Sequence, residues 1–598
     1  MYEDPEIVRV PVGPGPVEVG TGFDWLTATR DGVCWLESEA GTGRTVVTCF
    51  RPGSGEVIGY GLRSGDVGSS LHAYGGLPYL VRAPGDLVAV EAAASQVVGK
   101  AGRTASGHAY GDLASLGGDV LCVRESDGGD EMIVLPADSL GPRVLLATGG
   151  FLASPRAHSG RLAWMQWEWD VMPWDSSEIW VADLTAAGQL DEPRRVAGGR
   201  AESAIQPCWA ADGSLYFLSD RSGWWNLYRW RNGETVPVAP MEAECGTAPW
   251  ESGYSNFVLL PDDRIAMTVQ SGPEQHLVII ESSRARRTVR LPYTSFKAFV
   301  VQVGGRVGLI GASPSRFPEV ALVSTDGSDA VQVIRRTAAR TEPGEVSVPH
   351  VLTVSGEGAT TTVLFYPPTG GGADPPPLIV RPHAGPTYHN ELRLNDEVQF
   401  FTSRGFAVAE VDYRGSTGYG RRFRAALDGN WGRYDVQDCW ATAKWLAATG
   451  RVDPRAVFIS GASAGGYTAL KAACGDSPFA LAVARSAIVD PHRWQSTAPR
   501  FQRPHAAVLA SATSPVRAAE VTRHVLLVHG VDDRVAPVTD VDQLAAALRE
   551  RGALVDLLRF DGVGHYLSAA TRQVALEAEL AAYRQVLRQR GMVNPTTG

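Results

Sequence analysis

A loose repeat through the first half of the chain constrains its fold more than any other feature. From about Gly22 to Arg340, short apolar or aromatic runs alternate with turns rich in Gly, Asp, Ser and Pro, and no long helical pattern interrupts them. Successive units begin roughly 40 to 50 residues apart, which is the span of one four-stranded blade of a β-propeller. Six units open with a turn followed by a strand, at residues 32–36, 118–123, 160–164, 213–217, 263–267 and 305–309, and the gap between the first two leaves room for one more around 87–90.

This spacing predicts a β-propeller of about seven blades over residues 1–340, with an N-terminal extension at residues 1–21. A propeller is favoured because radial closure leaves few exposed strand edges. The alternative is a pair of large β-sandwiches, which does not require a regular period.

The second half of the chain, residues 341–598, has a different pattern. A strand-like stretch at 351–366 and a Gly/Pro-rich loop precede an alternation of strands and helices. Apolar strands alternating with helices predict an α/β domain with a mostly parallel sheet covered on both faces, and the site of such a sheet lies at the carboxyl ends of its strands. The predicted strands are 378–380, 407–411, 457–459, 525–528 and 555–558, and the predicted helices are 397–403, 435–449, 541–552 and 574–590.

Composition excludes several classes of protein. A chain of 598 residues is too long for one hydrophobic core. The net charge of −10 and the lack of a basic run disfavour a nucleic-acid partner. No secretory signal is visible, and no apolar run approaches the roughly 20 residues that span a bilayer. The seven cysteines are scattered without a CxxC motif, which predicts neither a disulfide framework nor a zinc site and suits a reducing cytoplasm.

One short stretch suggests the chemistry. Residues 457–467 read as a strand, a Gly461-x-Ser463-x-Gly465 turn and a helix. This is the pattern of the nucleophile elbow of an α/β-hydrolase, which presents a serine hydroxyl above the sheet edge. The pattern alone is short enough to arise by chance, so the assignment of Ser463 as nucleophile depends on its partners.

Two further segments supply partners, each directly after a predicted strand. One contains Asp532 and Asp533, and the other contains His565. A serine hydroxyl needs a general base, and that imidazole needs an anion to hold its tautomer. The order Ser, Asp, His is the order of an α/β-hydrolase triad, with His565 as base and either aspartate as the anion.

The oxyanion formed by attack on a carbonyl needs preorganised donors. One expected donor is the backbone N–H of Ala464, directly after the nucleophile. The other is expected from the loop after strand 378–380, at His383, Ala384 and Gly385. The histidines show no metal-ligand spacing such as HExxH, so no metal and no cofactor is predicted.

Several motifs together resemble the prolyl oligopeptidase superfamily of serine peptidases, in its acylaminoacyl-peptidase and dipeptidyl-peptidase-like branch. The catalytic half carries them at residues 383–386, 412–420, 431–438, 461–467, 532–535 and 564–565, and the first half at 72–76, 172–175 and 222–228. The resemblance covers most of the chain and implies a seven-bladed propeller joined to an α/β-hydrolase.

The resemblance also implies residue roles. In the family's Asp-Asp-Arg pattern the first aspartate belongs to the triad, which implies Asp532, and the arginine binds a substrate carbonyl, which implies Arg534. Two departures stand out: Ala384 replaces a usual glycine in the oxyanion loop, and residues 487–515 differ from the family's specificity segment.

The expected function is cleavage of peptide bonds in short peptides or acyl-peptides through an acyl-enzyme, with the propeller limiting access by size. A second hypothesis keeps the triad but makes the protein an esterase, amidase or acyltransferase acting on a small acylated metabolite. A third is a non-catalytic propeller scaffold. The expected setting is the cytoplasm, with no nucleic-acid or membrane partner, and assembly into a homo-oligomer is left open.

Overall fold

The computed structural model of the protein describes residues 7–592 apart from residues 11, 13–15, 19, 41, 64, 339–345 and 357. The chain divides into two compact units, Met1–Arg340 and Thr341–Gly598. The predicted domain boundary at residues 340 and 341 lies outside the described residues.

The first unit consists of seven antiparallel sheets, each built from consecutive strands. They confirm the prediction of a seven-bladed propeller rather than paired sandwiches. Blade 1 contains β1 (Ile7–Val10), β2 (Gly22–Thr29), β3 (Gly32–Ser38), β4 (Thr45–Arg51) and β5 (Glu56–Leu62); blade 2 contains β6 (Tyr79–Ala83), β7 (Asp86–Glu91), β8 (Gln96–Gly99) and β9 (Gly102–Arg103); blade 3 contains β10 (Ala109–Leu116), β11 (Asp119–Ser126), β12 (Gly129–Leu135) and β13 (Arg143–Thr148). Blade 4 contains β14 (Phe151–His158), β15 (Arg161–Trp167), β16 (Glu178–Leu184) and β17 (Leu190–Gly198); blade 5 contains β18 (Ala204–Trp209), β19 (Leu215–Ser219), β20 (Asn226–Arg231) and β21 (Glu234–Pro237); blade 6 contains β22 (Phe257–Leu259), β23 (Ile265–Ser271), β24 (Glu274–Ile280) and β25 (Arg286–Thr288); blade 7 contains β26 (Ser295–Phe296), β27 (Val301–Val303), β28 (Arg306–Ser313), β29 (Arg316–Ser324) and β30 (Val331–Arg336).

Each predicted turn-and-strand unit is the second strand counted from one edge of its blade, where the first strands are β2, β6, β10, β14, β18, β22 and β26. These strands read as apolar runs because neighbouring blades cover both of their faces, as in β11, where Val120–Val123 are all buried. The first strands carry a second regularity that the sequence did not reveal. In blades 1, 3, 4 and 5 this strand has a bulge with one non-glycine residue at positive φ: Trp25, Asp112, Ser154 and Gln206.

Residues 7–10 of the N-terminal extension belong to the propeller. Strand β1 pairs antiparallel with β5 and adds a fifth strand to blade 1. In the same blade, Cys34 and Cys49 lie opposite each other on β3 and β4 and form a disulfide. The expectation from cysteine spacing had been no disulfide; pairs formed across adjacent strands have no sequence signature because the hairpin loop sets their spacing.

Two long connections meet inside the ring of blades. Gly76 precedes blade 2 and Ser252 precedes blade 6, and these two residues form a parallel bridge, with the Ser252 N–H donating to the Gly75 carbonyl at 3.1 Å. Blades 2 and 6 are not neighbours in the ring, so the bridge ties together parts of the propeller that no blade-to-blade contact joins.

The second unit is built on one sheet with strand order β31-β32-β34-β33-β35-β36-β37-β38. The first two strands are antiparallel, and β34, β33, β35, β36, β37 and β38 run parallel to one another, which confirms the mostly parallel sheet. The strands are β31 (His350–Gly356), β32 (Ala359–Tyr366), β33 (Leu378–Pro382), β34 (Ala407–Asp412), β35 (Val457–Ala462), β36 (Leu481–Arg485), β37 (His524–Gly530) and β38 (Val555–Phe560).

The helices of this unit are α1 (Asp396–Thr402), α2 (Arg421–Arg424), α3 (Tyr434–Ala448), α4 (Ala464–Ala472), α5 (Pro491–Thr497), α6 (Arg503–Ala510), α7 (Val538–Glu550) and α8 (Ala569–Gln589), with 3₁₀ turns at Ala425–Leu427 and Arg500–Gln502. The core lies on both faces of the sheet. Strand β36 and helices α5 and α6 were not predicted, and they follow directly from the elbow helix α4. The predicted site loops follow the carboxyl ends of β33, β35, β37 and β38, so the sheet brings them to one edge.

Candidate active site

Ser463 occupies the sharp turn between β35 and α4. Its backbone has φ 53° and ψ −117°, a strained conformation for a residue with a Cβ atom. The Ser463 N–H donates to the Arg485 carbonyl on β36 at 2.9 Å, which fixes the turn against the neighbouring strand. A Cβ at Gly461 would clash with the Gly465 carbonyl oxygen, so the turn requires glycine there.

The structure brings Ser463 and His565 together as predicted. The His565 Nε2 atom lies 3.0 Å from the Ser463 Oγ. On the other side of the ring, Nδ1 lies 2.8 Å from the Asp533 Oδ2. A proton on Nδ1 therefore donates to Asp533 and leaves Nε2 free to accept the serine proton.

The expectation that Asp532 orients His565 is wrong, because Asp533 makes this contact. Asp532 is exposed, and its backbone N–H donates to the Val563 carbonyl at 2.9 Å. Side chains alternate along this turn, and Asp532 and Arg534 are both exposed. The alternation places the remaining aspartate, Asp533, on the buried face.

Local hydrogen bonds decide which aspartate points inward. The backbone N–H groups of Val535 and Ala536 both donate to the Asp533 Oδ1 at 2.9 Å. An aspartate side chain commonly accepts hydrogen bonds from the amides two and three residues later in a turn. Asp533 follows this pattern with Val535 and Ala536. Burial alone would raise the pKa of the Asp533 carboxyl. Hydrogen bonds from His529, His565 and the backbone lower it by more than burial raises it, so the pKa lies well below the ordinary value.

His529 is a buried partner of this carboxylate whose role the sequence did not show. Its Nε2 lies 2.7 Å from the Ala536 carbonyl and 3.3 Å from the Asp533 Oδ2. A proton on that nitrogen is therefore shared between the carbonyl and the carboxylate. This contact is to Oδ2, the same carboxylate oxygen that faces the His565 Nδ1.

The loop that carries His565 is held from two sides. The Ser486 hydroxyl, directly after β36, donates to the His565 carbonyl at 3.0 Å. A Cβ at Gly530 would clash with the Val563 and Gly564 carbonyl oxygens, which shows how closely the loop packs on the end of β37. Both contacts fix the loop relative to strands that also carry Asp533 and support Ser463.

The predicted oxyanion loop lies beside the start of α4. A Cβ at Gly465 would come within 2.8 Å of the His383 carbonyl oxygen and closer still to that of Pro382. The backbone at His383, Ala384 and Gly385 is therefore next to the helix whose first residue is Ala464.

The His383 side chain is occupied elsewhere. Its Nε2 lies 2.7 Å from the Ser416 hydroxyl and its Nδ1 lies 2.8 Å from the Ala384 carbonyl, while the ring stacks on Tyr413 at 4.2 Å. Burial lowers the pKa of the imidazole to about 3, so the ring is neutral. These contacts occupy both nitrogens and one face of the His383 ring.

A largely buried ion network joins strands next to the site. Glu397 on α1 accepts from Arg381 on β33 and from Arg485 on β36, the latter at 2.8 Å. Arg381 precedes the oxyanion loop, and the Arg485 carbonyl receives the Ser463 N–H. Burial raises the pKa of the Glu397 carboxyl, but the two guanidinium groups lower it more, to well below its usual range. Nothing in the local sequence pattern pairs these residues.

The segment 487–515, which departs from the family pattern, forms α5, a 3₁₀ turn and α6. Trp494 packs on Trp431 at 5.7 Å between ring centres, and Trp431 packs on Tyr467 of the elbow helix at 4.3 Å. The Thr387 hydroxyl, two residues after the oxyanion loop, lies 3.3 Å from the His505 Nε2. The altered segment therefore lies against both the nucleophile helix and the oxyanion loop.

Within the described ranges, no group of three or more His, Cys, Asp and Glu side chains is placed to hold a metal ion. Over the same residues, no helix has the length and apolar character needed to cross a bilayer.

Comparison with known proteins extends these findings. The sequence profile of the prolyl oligopeptidase family matches residues 392–589. Residues 392–589 belong to the prolyl oligopeptidase family. This segment contains Ser463, Asp533 and His565, and the family suggested by the motifs is confirmed.

Solved structures match over nearly the whole chain. A puromycin-hydrolyzing peptidase of Mycobacterium tuberculosis is 29% identical, with 97% of each chain covered and a TM-score of 0.88. A puromycin hydrolase is 28% identical, with 98% of each chain covered and a TM-score of 0.89. The two-unit architecture of the chain is therefore shared with these proteins.

Curated relatives match over a shorter range. The uncharacterized peptidase YuxL of Bacillus subtilis is 28% identical over 206 residues, which are 32% of this chain and 31% of the relative. The chain spans about a third of the length of the curated relatives it matches: 31%, 28% and 32% for three of them.

Proposed function

We propose that the protein is a serine peptidase that cleaves amide bonds in short peptides through an acyl-enzyme. The observation that carries this proposal is the continuous series of contacts from the Ser463 Oγ to His565 at 3.0 Å and from His565 to Asp533 at 2.8 Å. A serine without such a base is a poor nucleophile at neutral pH.

In the first step, the Ser463 Oγ adds to the carbonyl carbon of the substrate as its proton passes to the His565 Nε2. The resulting imidazolium is stabilised by Asp533, which stays ionised because its pKa is depressed. Adding the oxygen converts the carbonyl oxygen to an oxyanion. The Ala464 N–H and backbone amides of the loop His383–Gly385 are the proposed donors to it.

In the second step, the tetrahedral intermediate collapses and the carbon–nitrogen bond breaks. The His565 Nε2–H gives its proton to the leaving nitrogen, so the amine departs neutral and the acyl group stays on the Ser463 Oγ. Water then adds to this ester with His565 again as base. Collapse returns the proton to Ser463 and releases the carboxylic acid.

The activities named for similar proteins suggest a substrate class. These proteins include a puromycin-hydrolyzing peptidase, dipeptidyl peptidases and acylamino-acid-releasing enzymes. We therefore propose substrates in which a small aminoacyl or acyl-aminoacyl group is joined by an amide bond. Arg534 is exposed and directly follows Asp533 in the chain, which supports its proposed role in binding a substrate carbonyl. An esterase or acyltransferase is not favoured, because the named relatives are peptidases.

A peptide and acyl-peptide library digested by the purified protein and read by mass spectrometry tests the proposal. The expected result is cleavage at amide bonds by the wild type, and none by Ser463→Ala. Labelling of Ser463 by a fluorophosphonate probe gives an independent measure of nucleophile activation. The library also distinguishes endopeptidase from exopeptidase cleavage.

Two outcomes contradict the proposal. Wild-type cleavage rates retained in Ser463→Ala would exclude this serine as nucleophile. Labelling of Ser463 with hydrolysis of p-nitrophenyl esters but of no peptide, anilide or puromycin amide would support the esterase hypothesis instead.

A further inference from the structure

Tyr566 stands out among the apolar side chains of the described residues. It is 75% exposed, the largest exposed fraction among the exposed large hydrophobic residues, which also include Leu554 at 63% and Tyr388 at 39%. An aromatic ring left in water loses the stabilisation that burial of its face provides. Exposure of such a ring beside a reactive group makes its surface accessible to a bound molecule.

Tyr566 directly follows the triad histidine. Its ring lies edge-on to the His565 imidazole, with 5.3 Å between ring centres and 80° between the planes. One edge of the tyrosine thus contacts the imidazole, and this contact leaves most of the ring in solvent.

The loop under this ring is fixed, so the position of Tyr566 is not arbitrary. The Val563 carbonyl accepts from the Asp532 N–H at 2.9 Å, and the His565 carbonyl accepts from the Ser486 hydroxyl at 3.0 Å. Together with the close packing on Gly530, these contacts hold the backbone on either side of the triad histidine. A loop whose backbone is already held in this way loses little conformational entropy when a ligand binds beside it.

The chemistry of the triad identifies which part of a substrate reaches this wall. In the proposed mechanism the His565 Nε2–H protonates the leaving nitrogen, so the leaving group lies next to the imidazole. The acyl group is attached to Ser463 instead. A side chain that packs on the imidazole and extends into solvent is therefore adjacent to the leaving group.

We propose that Tyr566 is a specificity residue that forms a wall of the leaving-group subsite and stacks on an aromatic group there. The preferred substrates carry a planar aromatic group on the amine side of the scissile bond, such as a phenylalanine, tyrosine or tryptophan residue. This inference rests on the proposed peptidase function and adds the side of the substrate that the protein selects.

An aromatic pair adds a modest amount of binding beyond simple area burial. Its loss should lower the preference for an aromatic over an aliphatic leaving residue by roughly 3- to 10-fold. The effect should appear in kcat/KM, which reports acylation, the step in which the leaving group is still present. Substrates that share one acyl group pass through the same acyl-enzyme, so their deacylation rates should not change.

The experiment compares wild type, Tyr566→Ala, Tyr566→Phe and Leu554→Ala in competition digests of one peptide library. Competition gives ratios of kcat/KM directly, read by mass spectrometry for peptides that differ only in the residue after the cleaved bond. Leu554 is the matched control, since it is also exposed but precedes β38, at the strand end opposite to His565. The expected result is a loss of aromatic preference in Tyr566→Ala, with the preference retained in Tyr566→Phe and in Leu554→Ala.

Other results overturn the inference. An unchanged aromatic-to-aliphatic ratio in Tyr566→Ala, with cleavage otherwise normal, refutes the stacking role and leaves the peptidase function standing. A loss confined to Arg and Lys leaving residues would replace the aromatic partner with a cation. Absence of peptide cleavage by the wild type refutes the proposed function and this inference together. Equal labelling of Ser463 by a fluorophosphonate in wild type and Tyr566→Ala excludes misfolding as the cause of any change.

Discussion

Asp532 and Asp533 are chemically identical side chains one residue apart, and only Asp533 faces His565. The difference comes from backbone geometry. Two amides after the turn, those of Val535 and Ala536, donate to the Asp533 carboxylate and point it inward. Asp532 is left on the exposed side of the same turn.

This difference gives a direct test at the residue scale. Asp533→Asn should lower kcat by roughly 10⁴-fold, because an amide does not stabilise the imidazolium and favours the wrong tautomer of His565. Asp532→Asn is the matched control and should change kcat by less than about 5-fold, since its side chain is exposed. Steady-state hydrolysis of a peptide anilide measures both, with fluorophosphonate labelling rates as a second readout. Equal losses in the two variants would mean that the observed contact does not select the catalytic anion.

Sequence reasoning located this site without resolving its details. The order of Ser463 and His565 after predicted strands identified the base and the nucleophile, because parallel strands present their carboxyl ends at one edge. The choice between neighbouring aspartates depends on hydrogen bonds from amides further along the turn. A family pattern of residue types carries no information on which of two adjacent carboxylates those amides reach.

At the scale of elements, Glu397 joins two strands that carry different parts of the site. Arg381 on β33 leads to the oxyanion loop, and Arg485 on β36 accepts the amide of Ser463 through its carbonyl. A single helix residue on α1 therefore couples the strand before the oxyanion loop to the strand behind the nucleophile.

Replacing this residue should destabilise the second unit in a pH-dependent way. Glu397→Gln leaves two buried guanidinium groups without their anion and should lower the free energy of unfolding by about 3 kcal/mol at pH 7. The folded pKa of Glu397 is depressed, so its contribution is present above the unfolded value of about 4.3 and is lost as the pH falls below it. The difference between wild type and variant should therefore shrink between neutral pH and about pH 3.

Urea denaturation at several pH values measures this difference. Glu577→Gln on α8 is the control, because Glu577 is exposed and its neutralisation should have little effect at any pH. A destabilisation in Glu397→Gln that is constant from pH 7 to about pH 3 would show that the charge of Glu397 is not the source of its effect.

The disulfide of blade 1 is also an element-scale feature. Cys34 and Cys49 are 15 residues apart and link β3 to β4, whereas Cys122, Cys208, Cys245, Cys439 and Cys474 are free. Closing a loop of this length stabilises a fold by roughly 3 kcal/mol, mainly by restricting the unfolded chain. The double variant Cys34→Ser/Cys49→Ser should lose about this amount in non-reducing buffer, with Cys208→Ser as control.

Thiol titration of the unfolded protein checks the disulfide itself. Five of the seven cysteines should react before reduction and all seven after it. Reaction of all seven without reductant would contradict the disulfide and favour the proposed cytoplasmic setting, where thiols stay reduced.

The regular elements were predictable from sequence to different degrees. The second strand of every blade was identified because burial on both faces makes it a continuous apolar run between turns. Strand β36 was missed although Leu481–Arg485 is fully buried and turn residues at 475–478 separate it from α4. Its short run of alanine, leucine and valine does not distinguish a buried strand from a buried helical segment. Helices α5 and α6 were missed because they are short and depend on tertiary contacts such as the Trp494–Trp431 pair.

At the scale of the propeller as a whole, contacts between non-adjacent blades add to the contacts between neighbouring ones. The connections before blades 2 and 6 meet at Gly76 and Ser252, and Asp112 on β10 lies under them. Asp112 is fully buried at φ 57°, and its Oδ2 accepts the Ser154 N–H of the next blade at 2.6 Å. Its Oδ1 is buried without a hydrogen-bond partner.

A buried carboxylate with one oxygen lacking a hydrogen-bond partner lowers the free energy of unfolding. Burial raises the pKa of Asp112, and this effect outweighs the attraction of Arg156 and the hydrogen bond from Ser154. A raised folded pKa means that the native protein binds the proton more tightly than the unfolded chain does. The ionised form therefore destabilises the propeller, and stability should increase as the pH falls through the folded pKa towards the unfolded value of about 3.9.

Asp112→Asn should accordingly raise the free energy of unfolding of the propeller at pH 8, by about 1 kcal/mol or more. Asparagine keeps the acceptor for the Ser154 amide and tolerates positive φ, so the variant removes mainly the charge. The advantage over wild type should decrease as the pH is lowered through the folded pKa to about 4, where Asp112 is protonated in the folded wild type and about half protonated in its unfolded chain. Urea denaturation at both pH values measures it, with Asp127→Asn on an exposed turn of the same blade as control. An advantage that grows towards low pH, or a loss of stability at pH 8, would show that the buried charge is compensated and that the centre of the ring depends on it.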